Sequence, residues 1–212
     1  HDAQPLAVGE GDAPPRPQMS EDDRRQALRA AWAESRPVTP GDLVDAYLRV
    51  RGIGQPSYPA ALRFAVSLRD GEGGVRPAML ALVGLPLEKP VSMHRTFLRP
   101  DGGAKAEMGS PRKMMPGEIP DGACVQLSEW TFSGPIGIAE GIETAMAASC
   151  RFDLPVWSAI NATMLAKWLP PPGCDEVVIF GDNDASYAGH AAVYRLAHRL
   201  AARQFRVSVQ IP

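Results

Sequence analysis

The sequence predicts a smaller α+β part with a mainly antiparallel sheet, followed by a parallel, doubly wound α/β part. Three observations carry that prediction. From residue 134 onward, apolar runs alternate with helix-patterned segments, and the runs ending at Ala139 and Gly181 are followed by the carboxylates Glu140 and Asp182. Buried parallel strands read this way, with polar loops at their carboxyl ends. Between Leu62 and Leu98 the apolar pattern shifts toward the strand period, and Asp70-Gly71-Glu72-Gly73-Gly74 and Asp101-Gly102-Gly103 supply turns. Two helix patterns come before that stretch.

Residues 1–19 hold little that can bury, and Pro14-Pro15-Arg16-Pro17 breaks any helix, so a flexible linker is expected there. The chain begins at His1, as a processed chain or an excised piece does. Ser20 can cap a helix whose first turn carries Glu21, Asp22 and Asp23. Ala27, Leu28, Ala31 and Trp32 give that helix one apolar stripe, with Trp32 as a packing anchor. A turn is expected from Arg36 to Asp42, then a helix over Asp42–Arg51 that Gly52 ends. Strands follow over Leu62–Leu68, Pro77–Val83 and Val91–Leu98, and Lys105 to Met115 reads as a loop rich in positive charge. Cys124 to Leu127 reads as a short strand leading to Gly134-Pro135, which gives an amino-terminal part of 20–133 and a carboxyl-terminal part of 134–212.

The second part alternates regularly. Strands are expected over Ile136–Ala139, Pro155–Ile160, Glu176–Gly181 and Arg206–Ile211. Helices are expected over Ile142–Phe152, from an Asn161 cap to about Leu169, and over Ala188–Arg203.

A net charge of -2 gives no sign of general polyanion binding, so any contact with nucleic acid needs a local basic patch. Cys124, Cys150 and Cys174 are far apart and form no C-x-x-C, which points away from zinc and disulfides and toward a reduced, cytoplasmic setting. No apolar run is long enough to span a membrane.

The chemistry is expected at the two acidic strand ends. Glu140 follows one strand; Asp182 and Asp184 straddle a turn after another, so all three can converge on one sheet edge. Hard oxygen ligands without nearby Cys or His suit Mg²⁺ or Mn²⁺. Glu143 reads equally as a helix-start acid or as a further metal ligand. His94 reads as a strand-face residue, Asn161 as a cap and Tyr187 as a loop aromatic.

Glu140-Gly141, Asp182-Asn183-Asp184 and the following Ala188-Gly189-His190-Ala191-Ala192 resemble the Toprim domain of primases, topoisomerases and related nucleases, and in particular its primase branch. The stretch from Arg76 to Met115 resembles the amino-terminal subdomain of primase catalytic cores. The resemblance runs from about Trp32 to Pro212. It implies the core of a plasmid- or phage-type DNA primase, which joins ribonucleotides on single-stranded DNA by metal-dependent nucleotidyl transfer. Glu140, Asp182 and Asp184 would be its catalytic and metal residues, with Glu143 as a further ligand. Arg95, Lys105, Arg112 and Lys113 would contact nucleotide or DNA phosphates. Its partners would be ribonucleoside triphosphates, a single-stranded template, and a helicase or other replication protein. Two departures stand out: Ala185-Ser186-Tyr187 lengthens the spacing after Asp184, and the acidic element that family members carry beyond the last strand is not in the sequence. The rival readings are a Toprim nuclease, a non-catalytic nucleic-acid- or nucleotide-binding fragment, and an unrelated doubly wound domain.

Overall fold

Ser20 opens the first helix as its chemistry requires, in a computed structural model that describes residues 20–183, 185 and 187–211. The linker expected over residues 1–19 lies outside the described residues. The Ser20 hydroxyl accepts from the Asp23 N–H at 3.1 Å and caps α1 (Glu21–Ala33). Ala31 is buried, Leu28 and Trp32 pack beside it, and the Arg63 guanidinium lies 4.9 Å from the Trp32 ring centre. Asp42 caps α2 (Leu43–Val50), where Oδ1 accepts from the Val44 and Asp45 N–H groups at 2.9 Å each. Gly52 follows at φ +74°, a left-handed turn that glycine takes without strain.

The antiparallel sheet keeps sequence order: β1 (Arg36–Pro37), β2 (Leu62–Arg69), β3 (Val75–Val83), β4 (Ser92–Phe97) and β5 (Arg112–Met114). Both edge strands correct the sequence reading. Arg36–Pro37, expected as a turn, pairs with Arg63 and Phe64. A proline has no N–H for a second neighbour, so an edge is the place that accepts it. Arg112–Met114, expected inside a loop, pairs with His94 to Thr96 because the Gly109-Ser110-Pro111 turn brings it alongside β4. Strand alternation then sorts the side chains. Met79, Ala81 and Val83 face one core; Ala78 and Leu80, with Leu82 partly buried, face another beneath α1.

The parallel sheet has the order β7-β6-β8-β9, from β6 (Ile136–Ala139), β7 (Val156–Ser158), β8 (Glu176–Phe180) and β9 (Arg206–Gln210). Helix α3 (Ile142–Phe152) joins β6 to β7, α4 (Ala162–Lys167) joins β7 to β8, and α5 (Ala188–Ala201) joins β8 to β9. Residues of α3 share a core with Ala139, Val156 and Phe180; residues of α4 and α5 pack with Ile136, Ile138, Val177 and Ile179. The helices therefore cover opposite faces, as a doubly wound sheet requires. Asn161 caps α4 by accepting from the Met164 N–H at 2.9 Å.

Cys124 to Leu127 is not a strand. It makes two single bridges, Gly84 to Cys124 and Val125 to Ser158, and so ties the end of β3 to the end of β7. The two sheets also share one core. Val44, Tyr47 and Leu48 of α2 and Met79, Ala81 and Val83 of β3 cluster with Ile142, Ala145 and Met146 of α3. Fully burying one side chain of this kind stabilises the fold by about 1.5–3 kcal/mol, so this cluster makes a large contribution to joining the halves. Among the described residues no helix is long and apolar enough to cross a membrane.

Candidate active site

Strand order reverses between β6 and β8, and open α/β sheets bind ligands at such a switch point, beyond the strands' carboxyl ends. Ala139 is in register with Phe180. Glu140 comes one residue after that pair and Asp182 two residues after it, on neighbouring strands about 4.8 Å apart. Glycine permits the close packing below: a Cβ on Gly137 would come within 2.6 Å of Val156 Cγ2 and 2.9 Å of Phe180 Cε2.

The end of β7 supports Glu140. The Ser158 hydroxyl donates to the Glu140 carbonyl at 3.0 Å and accepts from the Ile160 N–H at 3.2 Å. Ile160 is buried with φ +77°, a left-handed conformation that is costly for a β-branched residue. Asp182 is half-buried, and its Oδ1 accepts from the Thr144 hydroxyl at 2.7 Å. Asp184 lies outside the described residues. Tyr187 is exposed, with its ring 5.3 Å from that of His190.

Glu143 is engaged from the amino-terminal half. Its Oε1 accepts from the Tyr47 hydroxyl and pairs with Lys105 Nζ at 3.0 Å. Burial raises its pKa, but the Tyr47 hydrogen bond and Lys105 outweigh burial and hold the carboxyl down to about 2. Tyr47 is fully buried, and desolvation followed by the Glu143 charge pushes its phenol upward. The Arg51 guanidinium covers the Tyr47 ring, 3.8 Å from its centre. Nearby, burial pushes His94 down to about 4; Glu143 opposes that shift, while Arg112, Lys105 and Arg95 add to it.

The four expected phosphate contacts divide between two faces. His94 and Thr96, which are in register with Met114 and Arg112, share the face of β4 that carries Leu98 into the joint core. The Leu98 to Lys105 bridge keeps Lys105 on that side. Arg95 and Lys113 are in register with each other on the opposite face, toward the core beneath α1. There the Arg95 guanidinium donates to the Met114 carbonyl at 2.8 Å, and Lys113 bonds Glu72 and the Asp70 carbonyl, each at 2.8 Å. The structure therefore brings Lys105 and Arg112 toward the acidic half and leaves Arg95 and Lys113 behind the sheet.

Sequence reasoning missed Tyr47, Thr144 and Ser158. Tyr47 was one more apolar position on a helix. The other two are small hydroxyls whose partners come from other strands, so local sequence held no signal for them. Among the described residues, no group of three His, Cys, Asp or Glu side chains could hold a metal ion. In kind, Glu140 and Asp182 suit a hard divalent cation, whereas Glu143 already holds a cationic side chain.

Residues 22–127 match the family model described as Domain of unknown function (DUF7146), and residues 135–212 match that of the Toprim domain. No match was found among curated proteins. The Aquifex aeolicus primase, a structure of its zinc-binding and RNA polymerase domains, is similar with a TM-score of 0.57 and 14% identity, over 92% of this chain and 56% of that one. The primase fragment of the bacteriophage T7 primase-helicase protein gives 0.48 and 18%, over 77% and 59%. A DNA primase domain from Pseudomonas aeruginosa gives 0.45 and 12%, over 69% and 48%. The chain thus spans less than two thirds of each of these three structures. At such identities the likeness to the Aquifex protein is one of fold. The antiparallel sheet followed by a parallel sheet is a fold shared with the Aquifex primase, and the chain, matched over half its length, belongs to the DUF7146 family and carries a Toprim domain over residues 135–212.

Proposed function

We propose that the chain is the catalytic core of a plasmid- or phage-type DNA primase that makes RNA primers on single-stranded DNA. The observation that carries this reading is the placement of Glu140 and Asp182 at the switch point of the parallel sheet, with Lys105 and Arg112 on the facing side of the other half. In this reading residues 134–212 supply the acidic surface, residues 20–133 supply the basic one, and residues 1–19 are a linker.

Glu140, Asp182 and Asp184 would hold Mg²⁺ or Mn²⁺. The bound cation would neutralise triphosphate charge and stabilise the charge that develops during transfer. The ribose 3′-oxygen bonds to the α-phosphorus of the incoming nucleotide as the bond to pyrophosphate breaks. The hydroxyl proton leaves to a base, for which Glu140 is the candidate on this chain. Arg112 and Lys105 would receive phosphates of nucleotide or template, Arg with two donors side by side and Lys as a point charge. Arg95 and Lys113, behind the sheet and held by the Met114 carbonyl and by Glu72 and the Asp70 carbonyl, would take no part in that contact. A helicase or another replication protein would deliver the strand, as the primase-helicase name of the T7 relative suggests for this chain.

The test is primer synthesis on single-stranded DNA with labelled ribonucleotides and Mg²⁺ or Mn²⁺, beside the Asp182→Ala/Asp184→Ala double variant. A labelled DNA strand runs on the same gel. Primers that vanish in the variant support nucleotidyl transfer. Cutting that vanishes instead assigns a nuclease. Metal and nucleotide binding without either product assigns a binding fragment.

A further inference from the structure

Two consecutive side chains in the first turn of α3 reach in different directions. Glu143 is tied to Tyr47 of α2 and to Lys105, both in the amino-terminal half. Thr144 donates to Asp182 Oδ1 at 2.7 Å, beyond β8 in the parallel half. Both sit on the same rigid helical turn, so a displacement of one anchor is felt at the other. The anchors differ in solvation. Tyr47 is fully buried, so its hydroxyl meets Glu143 on a side closed to water. Asp182 is half-buried on a loop and depends on neighbours for its orientation.

We propose that Glu143 and Thr144 form a positioning couple through which the amino-terminal half sets the orientation of the Asp182 carboxylate. Thr144 holds one oxygen of Asp182 through its hydroxyl proton and leaves the other for a cation. Glu143 keeps the turn that carries Thr144 against Tyr47 and Lys105. Neither residue touches the reacting atoms. This rests on the metal-site reading above, because orienting Asp182 matters for function only if Asp182 binds a cation. Partners that orient metal-binding carboxylates commonly change affinity by about 10–100-fold when they are removed.

The experiment measures Mn²⁺ affinity by the electron-spin-resonance signal of the free ion. It uses the full chain and the variants Thr144→Val, Thr144→Ser, Tyr47→Phe and Asp182→Asn. Amide hydrogen exchange at Gly181–Asn183 is followed in the same proteins. Asp182→Asn should weaken Mn²⁺ binding most. Thr144→Val should weaken it about 10-fold, whereas Thr144→Ser, which keeps the hydroxyl, should match the wild type. Tyr47→Phe should lower protection of Gly181–Asn183 while strands β6 and β8 keep theirs, which separates lost orientation from unfolding. Equal protection of those amides in Thr144→Val, Tyr47→Phe and the wild type overturns the couple. A wild-type chain that takes up no Mn²⁺ overturns the metal-site reading instead, and exchange then judges the couple by itself.

Discussion

Arg112 and Lys113 are adjacent on β5 and stand on opposite faces of the five-stranded sheet, Arg112 in register with Thr96 and Lys113 with Arg95. Arg112 is exposed on the side that meets the acidic half; Lys113 is held by Glu72 and the Asp70 carbonyl. A phosphate contact at Arg112 releases counterions when it forms. Arg112→Ala is therefore expected to weaken binding of single-stranded DNA and to reduce the salt slope of the binding constant by about 0.7. Lys113→Ala should leave that slope unchanged. Fluorescence-anisotropy titrations at several salt concentrations compare the two, and equal slopes would sink the assignment by face.

Acid should destabilise the fold through His94 before it acts through Glu143. Desolvation holds the folded imidazole down to about 4, against about 6.5 in an unfolded chain. The unfolded chain thus binds a proton that the folded one refuses. The contribution of the neutral ring is complete above about pH 6.5 and is lost as the pH falls toward 4. Between pH 6.5 and 5 the expected loss is about 1.5 kcal/mol. Glu143, held down to about 2, loses its contribution only below about 4.5, the ordinary range of a glutamate. Urea unfolding at the two pH values tests this, with His94→Gln expected to flatten the dependence.

Gly137 is expected to resist even a single added carbon. The new Cβ of Gly137→Ala would meet Val156 Cγ2 at 2.6 Å, Phe180 Cε2 at 2.9 Å and Leu154 Cδ1 at 3.0 Å. Val156 is β-branched and fully buried, so it has little room to turn away. Overpacking of this kind costs about 1–3 kcal/mol. Denaturant unfolding of the variant measures the cost, and a loss under about 0.5 kcal/mol would mean that β6 and β7 separate more easily than their packing implies.

The elements visible in the sequence were those long enough to carry a period. Residues 136–139 and 177–180 are unbroken apolar runs shortly before carboxylates, and Ala188–Ala201 repeats its stripe over several turns. The two edge strands were hidden because Arg36–Pro37 and Arg112–Met114 are too short for alternation to register, and their content is charge and proline. Cys124 to Leu127 misled in the other direction: four residues of strand-like composition make bridges to two different sheets. Glu140 and Asp182 were legible because motif and strand end coincide. The partners of Glu143 were not, since Tyr47 lies 96 positions away and its hydroxyl meets the carboxylate only once both halves are folded. The faces on which the basic residues stand were hidden for a related reason. Charge clustering shows that a segment is positive, but which side each cation serves depends on pairing with β4.

The joint core has a bearing on how such a chain can be inherited. Val44, Tyr47 and Leu48 pack into a cluster whose opposite wall is built by Ile142, Ala145 and Met146. A recombination event near residue 134 that imported a foreign carboxyl-terminal half would replace that wall without its match, leaving buried surfaces of different shape pressed together. Descent should favour exchange of the whole chain, or paired drift across the seam, over free shuffling of the two halves. Along the sequence they read as successive units; in three dimensions each supplies part of the other's interior.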